Sequence, residues 1–267
     1  MKLQAEAEVE TLALAGKTIA TKMAHWLQLN SLRHQRIIKK RNRMRESQRI
    51  LLQKALSAAA TDIPDNPYVY FPLQYEPERT TNPDGGAFHD QLHTLMILRG
   101  FLPDNLSIAV KEHPSQFNAS MKGHRGRHPR FYDALRRIKG LHLLPASASS
   151  AELLRGCEAV ATITGTAGLE GAALGKRSLI FGDAWFRGAP NTVSFTPNLR
   201  WADFEATPIV ERAELRAWIV SKLRAFVIPG TSGPSNESYF SNWYTDGTLA
   251  TAENEALYTA LEEALTE

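Results

Sequence analysis

The sequence predicts an α/β fold: a Rossmann-like parallel sheet with helices on both faces, preceded by a basic helical segment. Three observations carry this. From residue 68 onward short apolar runs alternate with segments of helical period, the pattern of strands whose crossovers cover both faces of a parallel sheet. The stretch Thr162-Ile163-Thr164-Gly165-Thr166-Ala167-Gly168-Leu169-Glu170 turns an apolar strand into a helix through small residues. Before residue 60, a long block without Gly or Pro after Gly16 carries eleven of the chain's 31 Lys and Arg residues and a single acid.

Between Lys17 and Lys54 there are eleven Lys or Arg residues against one acid, Glu46. Apolar residues at 32, 37, 38, 44, 51 and 52 give this block one narrow apolar seam and a basic face, as a helix would. Pro64 and Pro67 around Asp65-Asn66 then mark a boundary. The expected domains are a helical basic segment over 1–60 and a Rossmann-like domain over 66–267. Within the second, strands are expected at Tyr68–Leu73, Leu106–Lys111, Leu141–Leu144, Glu158–Ile163 and Ser178–Phe181. Helices are expected at Phe88–Phe101, Phe131–Ile138, Ser150–Arg155 (capped by Ser149 or Ser150) and Ala167–Leu174. Leu215, Trp218, Ile219, Leu223 and Phe226 recur at helical spacing, and Asn254 to Leu265 reads as a closing helix.

Composition narrows the class. The apolar fraction is 43% and the mean hydropathy −0.29, values of an ordinary globular protein, and 267 residues suffice for a sizeable core. The single cysteine, Cys157, excludes an intrachain disulfide and fits a reducing compartment. No apolar run reaches membrane-spanning length, and Glu6, Glu8 and Glu10 reverse the basic start of a signal peptide. The expected location is cytoplasmic. From residue 56 onward acids outnumber bases, twenty-four to nineteen, and no nucleic-acid-binding motif appears, so nucleic acid is disfavoured as a partner. Two uses of the basic helix stay open: a linker packed on the domain, or docking at an anionic membrane surface.

Chemistry concentrates where strands end. A strand-to-helix turn at Thr164, Gly165, Thr166 and Gly168 presents backbone N–H groups and hydroxyls at a helix N-terminus, where an anion is favoured. His113 follows another apolar strand, and Pro114 behind it stops pairing and turns the chain. In a parallel sheet both ends face one crevice, so a phosphate could meet amides, two threonine hydroxyls and an imidazole together. Glu170, in the first helical turn, either complements the dipole or accepts ribose hydroxyls. Lys111 and Glu112 flank the histidine on alternating faces, and Glu112 is expected in solvent. The polar loop after the first strand holds Gln74, Glu78, Arg79, Thr80, Thr81 and Asp84, with Gly85 and Gly86 freeing the backbone to approach a ligand; Arg79 and Asp84 are the catalytic candidates. Trp185 and Phe186 either stack on a ligand or pack in the core. The histidines, His89 and His93 included, show no metal-ligand spacing, and no metal is expected.

Read together, Tyr68 to Gln74, Pro77 to Gly86, Lys111-Glu112-His113-Pro114, Thr164 to Gly171, and Gly175-Lys176 leading to Phe181-Gly182-Asp183-Ala184-Trp185-Phe186 resemble the capsule polysaccharide biosynthesis family. Its best-understood members are Kdo transferases of the two-domain GT-B type. The resemblance spans roughly residues 66 to 196; it departs at Phe186, where a tyrosine is expected, and in the lack of a complete Rossmann-like domain before residue 66. It implies a donor-binding, C-terminal-type GT-B domain. The implied activity is glycosyl transfer from a nucleotide-activated sugar, CMP-Kdo being one candidate donor, to a glycan acceptor, a lipid-linked one at the inner membrane face included. It implies no cofactor beyond the donor substrate. The loop after the first strand would face the interdomain cleft, with Arg79 neutralising the leaving group. A GT-B-like nucleotide-sugar epimerase, or a non-catalytic subunit whose partner supplies the first domain, are the alternatives.

Overall fold

The computed structural model describes residues 32–77 and 81–226. Six parallel strands form one sheet: β1 (Tyr68–Pro72), β2 (Ser107–Lys111), β3 (Leu141–Leu144), β4 (Ala159–Thr162), β5 (Arg177–Ile180) and β6 (Thr192–Ser194), in the order β3-β2-β1-β4-β5-β6. The chain moves outward from β1 to β3, crosses back beside β1 as β4, and continues outward. This is a Rossmann-like arrangement, whose switch point lies between β1 and β4. Register is continuous: Val69 faces Ile108 on one side and Ala159 on the other.

The helices are α1 (Leu32–Ala59), α2 (Gln91–Phe101), α3 (Pro129–Leu135), α4 (Ser150–Gly156), α5 (Ala167–Ala173), α6 (Trp201–Glu205) and α7 (Arg212–Phe226). On one face of the sheet, Leu95 and Leu98 of α2, Tyr132 and Leu135 of α3 and Phe204 of α6 join Val69, Phe71, Ile108 and Val110 in the main core. On the other, Leu153 and Leu154 of α4 pack on Tyr68, Tyr70 and Val160, while α5 and α7 close over Ile180 and Phe186. Strands buried on both faces read as unbroken apolar runs, which is why β1, β2 and β4 were visible in the sequence.

Caps explain where the observed ends differ from the expected ones. Asp90 accepts hydrogen bonds from the amides of Leu92 and His93 at 2.9 and 3.1 Å. Helix α2 therefore starts at Gln91, and Gly86–Phe88 forms a separate 3-10 turn. Pro129 begins α3 two residues early, with His128 Nδ1 accepting from the Arg130 amide at 3.1 Å, as a proline at the first helical position favours. Of the two serines open as the cap of α4, Ser149 serves, its Oγ accepting from the Glu152 amide at 3.3 Å. Strand β6 and helix α6 had no counterpart in the expected elements. The expected helix from Asn254 to Leu265 lies outside the described residues.

Helix α1 carries the basic segment over Leu32–Ala59, residues 1–31 of it lying outside the described residues, and its seam divides. Leu52, Leu56 and Ala59 are buried and share the main core with the sheet. Ile37, Met44 and Leu51, seven residues apart, are each more than half exposed. They border a groove of about 1160 Å³ between α1 and the His124–Pro129 stretch, together with Lys40, Arg41 and Arg45. Among the described residues no helix is long and apolar enough to cross a membrane.

Helix α2 offers a test of this packing. Leu98 is fully buried and Met96, two residues away, is 58% exposed. Leu98→Ala should cost about 2–5 kcal/mol of unfolding free energy, and Met96→Ala no more than about 0.5 kcal/mol, as read by urea denaturation.

Candidate active site at the switch point

A cavity of about 390 Å³ opens at the C-terminal ends of β1, β2 and β4, within the range of roughly 300–1,000 Å³ usual for small-ligand sites. Its position outside the carboxyl ends of the strands, at the switch point, is where open α/β sheets bind ligands. Gln74 comes from the exit of β1, Lys111, His113 and Pro114 from β2, Thr164 to Ala167 and Glu170 from the turn into α5, and Ser150 from α4.

Hydrogen bonds fix the polar groups. The amide of Ser115 donates to Nδ1 of His113 at 3.1 Å, so in the neutral imidazole Nε2 carries the proton and is the donor. Gln74 Nε2 donates to Thr164 Oγ1 at 2.8 Å, tying the two sides of the cavity together. Its Oε1 is buried with no hydrogen-bond partner. Thr166 Oγ1 donates to Glu170 Oε1 at 3.2 Å. The Gly165 amide donates to Thr162 Oγ1 at 3.0 Å and the Gly168 amide to the Gly165 carbonyl at 3.1 Å. Two of the turn's amides are therefore spent inside the turn, and Thr166 and Ala167 are the residues of the helix start that line the cavity.

Beneath it lies a buried ionic network. Arg127 Nε donates to Glu112 Oε2 at 3.0 Å, its NH1 pairs with Glu76 Oε2 at 2.9 Å, and its NH2 donates to the Gln74 carbonyl at 2.9 Å. The guanidinium sits 4.5 Å over the Phe131 ring. Glu112 also accepts from Tyr132 Oη at 2.8 Å and from the His113 amide at 2.8 Å. Burial works against the charge of Arg127, but the carboxylates of Glu112 and Glu76 outweigh it and raise its pKa above the ordinary value. Burial, and then the Glu112 charge, raise that of the Tyr132 phenol. Gln91 and Gln116 clamp the same loop: Gln91 Oε1 accepts from the Gln74 amide at 2.8 Å, and Gln116 Oε1 from the Glu76 amide at 3.0 Å.

This network corrects one expectation outright. Glu112 is not in solvent but fully buried, because its side chain points into the α3 face, where Arg127 and Tyr132 complete its hydrogen bonds. Gly168 has a packing role. A Cβ there would lie 2.8 Å from Ile180 Cδ1 and 3.0 Å from Thr162 Cγ2, so its small size serves helix-to-sheet packing, and it does not line the cavity. Phe186 is fully buried among Ala172, Ile180 and Leu215, its face spent on the core; Trp185 is exposed and away from the cavity lining. A Cβ on Gly85 would collide with the Thr81 carbonyl, so the close turn of this loop requires glycine there. Gly86 holds φ at +53°, a backbone need of the same loop. Thr81 is buried and Asp84 exposed, and neither lines the cavity. Glu78, Arg79 and Thr80 lie outside the described residues. Gln74, His113, Pro114, Thr164, Gly165, Thr166 and Glu170 do converge there. Among the described residues no group of three or more His, Cys, Asp or Glu is placed to hold a metal ion.

The family model for capsule polysaccharide biosynthesis proteins matches residues 6–220. The chain belongs to that family. The match takes in the basic helix as well as the sheet, further than the motifs alone reached. Among solved structures the chain is similar to two of Thermosulfurimonas dismutans KpsC. One is a β-Kdo 2,7-transferase (19% identity, 63% of this chain and 51% of that one, TM-score 0.41), the other a β-Kdo 2,4-transferase (17%, 65%, 54% and 0.36). The chain thus spans about half the length of these structures. No curated protein matches it.

In this capsule-family protein the Arg127 network should behave as one unit. Arg127→Met leaves Glu112 buried without its cation and should cost about 3–5 kcal/mol. Adding Glu112→Gln to Arg127→Met should recover part of that loss. Denaturant unfolding of both singles and the double measures the coupling, and strictly additive losses would show the pair to be independent.

Proposed function

We propose that the cavity binds the nucleotide end of an activated sugar and that the protein is a glycosyltransferase, or the donor-binding half of one, in capsule polysaccharide synthesis. The observation that supports this most is the convergence of His113 and the Thr164–Ala167 turn on one cavity at the switch point, in a chain of the capsule family. On this reading the protonated Nε2 of His113 donates to a phosphate oxygen while the start of α5 faces the same anion. Glu170, exposed at the cavity edge, accepts ribose hydroxyls. Charge building on the departing phosphate meets donors already oriented by the protein, which is where electrostatic stabilisation is most effective. The acceptor is a glycan, and the group acting at the sugar carbon comes from outside this cavity, either elsewhere in the protein or from a partner domain.

The basic helix gives the same reading a place. Ile37, Met44 and Leu51 form an exposed apolar stripe beside Lys40, Arg41 and Arg45, with Arg36, Lys39 and Arg43 further round the helix. Such a face matches an anionic bilayer, apolar residues entering the headgroup boundary and cations pairing with lipid charge. A lipid-linked acceptor would be met there.

Two experiments test these statements. His113→Ala removes a hydrogen bond to a charged group, worth roughly 1.5–3 kcal/mol, so calorimetry with a panel of CMP-, UDP- and GDP-sugars should show at least tenfold weaker binding of the donor; unchanged affinity in a folded variant rejects the placement. Replacing Arg36, Lys39, Lys40, Arg43 and Arg45 by Gln should abolish co-sedimentation with anionic liposomes, each cation contributing about 1 kcal/mol near the surface, and should leave nucleotide affinity intact. Failure of the unaltered protein to sediment at low salt would make the helix a packing element alone.

A further inference from the structure

Lys111 is the last residue of β2 and points into the cavity from its floor. It is 6% exposed, and its Nζ donates to Ser150 Oγ at 2.9 Å; the same serine hydroxyl is 3.5 Å from Tyr70 Oη. The Ser150 hydroxyl is a neutral partner, and Tyr70 bonds that serine, not the lysine. Among the described residues Lys111 forms no ion pair with a carboxylate: Glu112, next to it, points to the opposite side of the sheet and is committed to Arg127, and Glu170, the other acid of the cavity, is engaged by Thr166. The two buried cations of this region therefore differ in kind. Arg127 is neutralised by two acids of the protein, whereas Lys111 is held by the hydroxyl of Ser150.

A buried ammonium with no counter-charge is unfavourable, and a folded protein keeps one where something else supplies the charge. From this geometry we infer that Lys111, steadied by Ser150, is an anion-binding residue, and that the ligand brings an oxyanion to the floor of the cavity between β2 and α4. Burial acts on the free protein in the matching direction, pushing the Lys111 ammonium below its ordinary pKa, and an arriving oxyanion would reverse that. The oxyanion has two possible sources, a phosphate of the nucleotide or an acidic group on the transferred sugar. The inference rests on the reading of the cavity as a donor site, but the two can fail separately.

The test combines stability and binding in the full-length protein. Without ligand, Lys111→Met should be more stable than the unaltered protein in urea, because it removes a buried uncompensated charge. By calorimetry it should bind cytidine monophosphate, or a nucleotide sugar with an acidic sugar, at least tenfold more weakly. Cytidine, which carries no phosphate, should bind both proteins alike. A tenfold loss already seen with the monophosphate assigns the nucleotide phosphate as the source; a loss confined to the donor with an acidic sugar assigns the sugar. Inorganic phosphate that protects the unaltered protein against unfolding and not Lys111→Met, with no nucleotide bound by either, upholds the anion site and removes the nucleotide reading. Cytidine monophosphate and the acidic-sugar donor both bound equally by the two proteins overturn the anion site and keep that reading. A variant less stable than the unaltered protein, or no binding of phosphate or nucleotide by either protein, also overturns it.

Discussion

The buried pair of Glu112 and Arg127 is the constraint on which the candidate site depends. Strand β2 ends at Lys111, and the next residue turns its carboxylate into the protein to meet a guanidinium from the segment before α3. Arg127 reaches across to Glu76 and to the Gln74 carbonyl at the exit of β1, while Glu112 takes the amide of His113. One ionic cluster thus sets the exits of two neighbouring strands. Buried ion pairs seldom add much net stability compared with apolar side chains, because desolvation consumes most of the attraction. Their strength is geometric: removing either partner is costly, so the residues they hold have one arrangement. Here those residues include the backbone of His113 and of Gln74, both on the cavity.

The same logic separates the groups that build the protein from those available to a ligand. Gln91 and Gln116 have their donors and acceptors satisfied by loop backbone and by Glu76, and work only inside the scaffold. Gln74 bonds Thr164 on one side and leaves Oε1 buried without a partner. Lys111 shows an analogous imbalance of charge. Among the described residues the one buried side-chain polar atom without a partner, Gln74 Oε1, lies at the cavity.

Much of the fold was legible because it follows from local pattern. Strands β1, β2 and β4 are continuous apolar runs, and the turn at Thr164–Ala167 is written in small and hydroxyl residues. Strand β6 was hidden because its three residues are only half-buried at the sheet edge, with too little apolar signal to read. The site was legible where chemistry and chain order coincide, as at His113-Pro114 and the threonine turn. It was not legible where partners are distant: nothing local marks Arg127 as the partner of Glu112 among the bases and histidines from Lys122 to Arg130, fifteen residues further along the chain. Residue type left Phe186 and Gly168 undecided. An aromatic after a strand and a glycine at a helix start suit ligands and cores equally, and only the packing of α5 on β4 and β5 decides.

The segment from Glu112 to Pro129 is shared by the two features that bear on function. Its first residues line the cavity, and its last, from His124 to Pro129, line the groove along α1. Arg127 lies in the second stretch and bonds into the first. Loops with no internal anchor adjust independently, but a displacement of Arg127 would leave two carboxylates, Glu112 and Glu76, with their cation withdrawn, at a cost of several kcal/mol. The groove and the cavity are therefore fixed relative to one another by the ionic cluster between them. Whatever face α1 presents to its surroundings, the cavity keeps a set orientation to it.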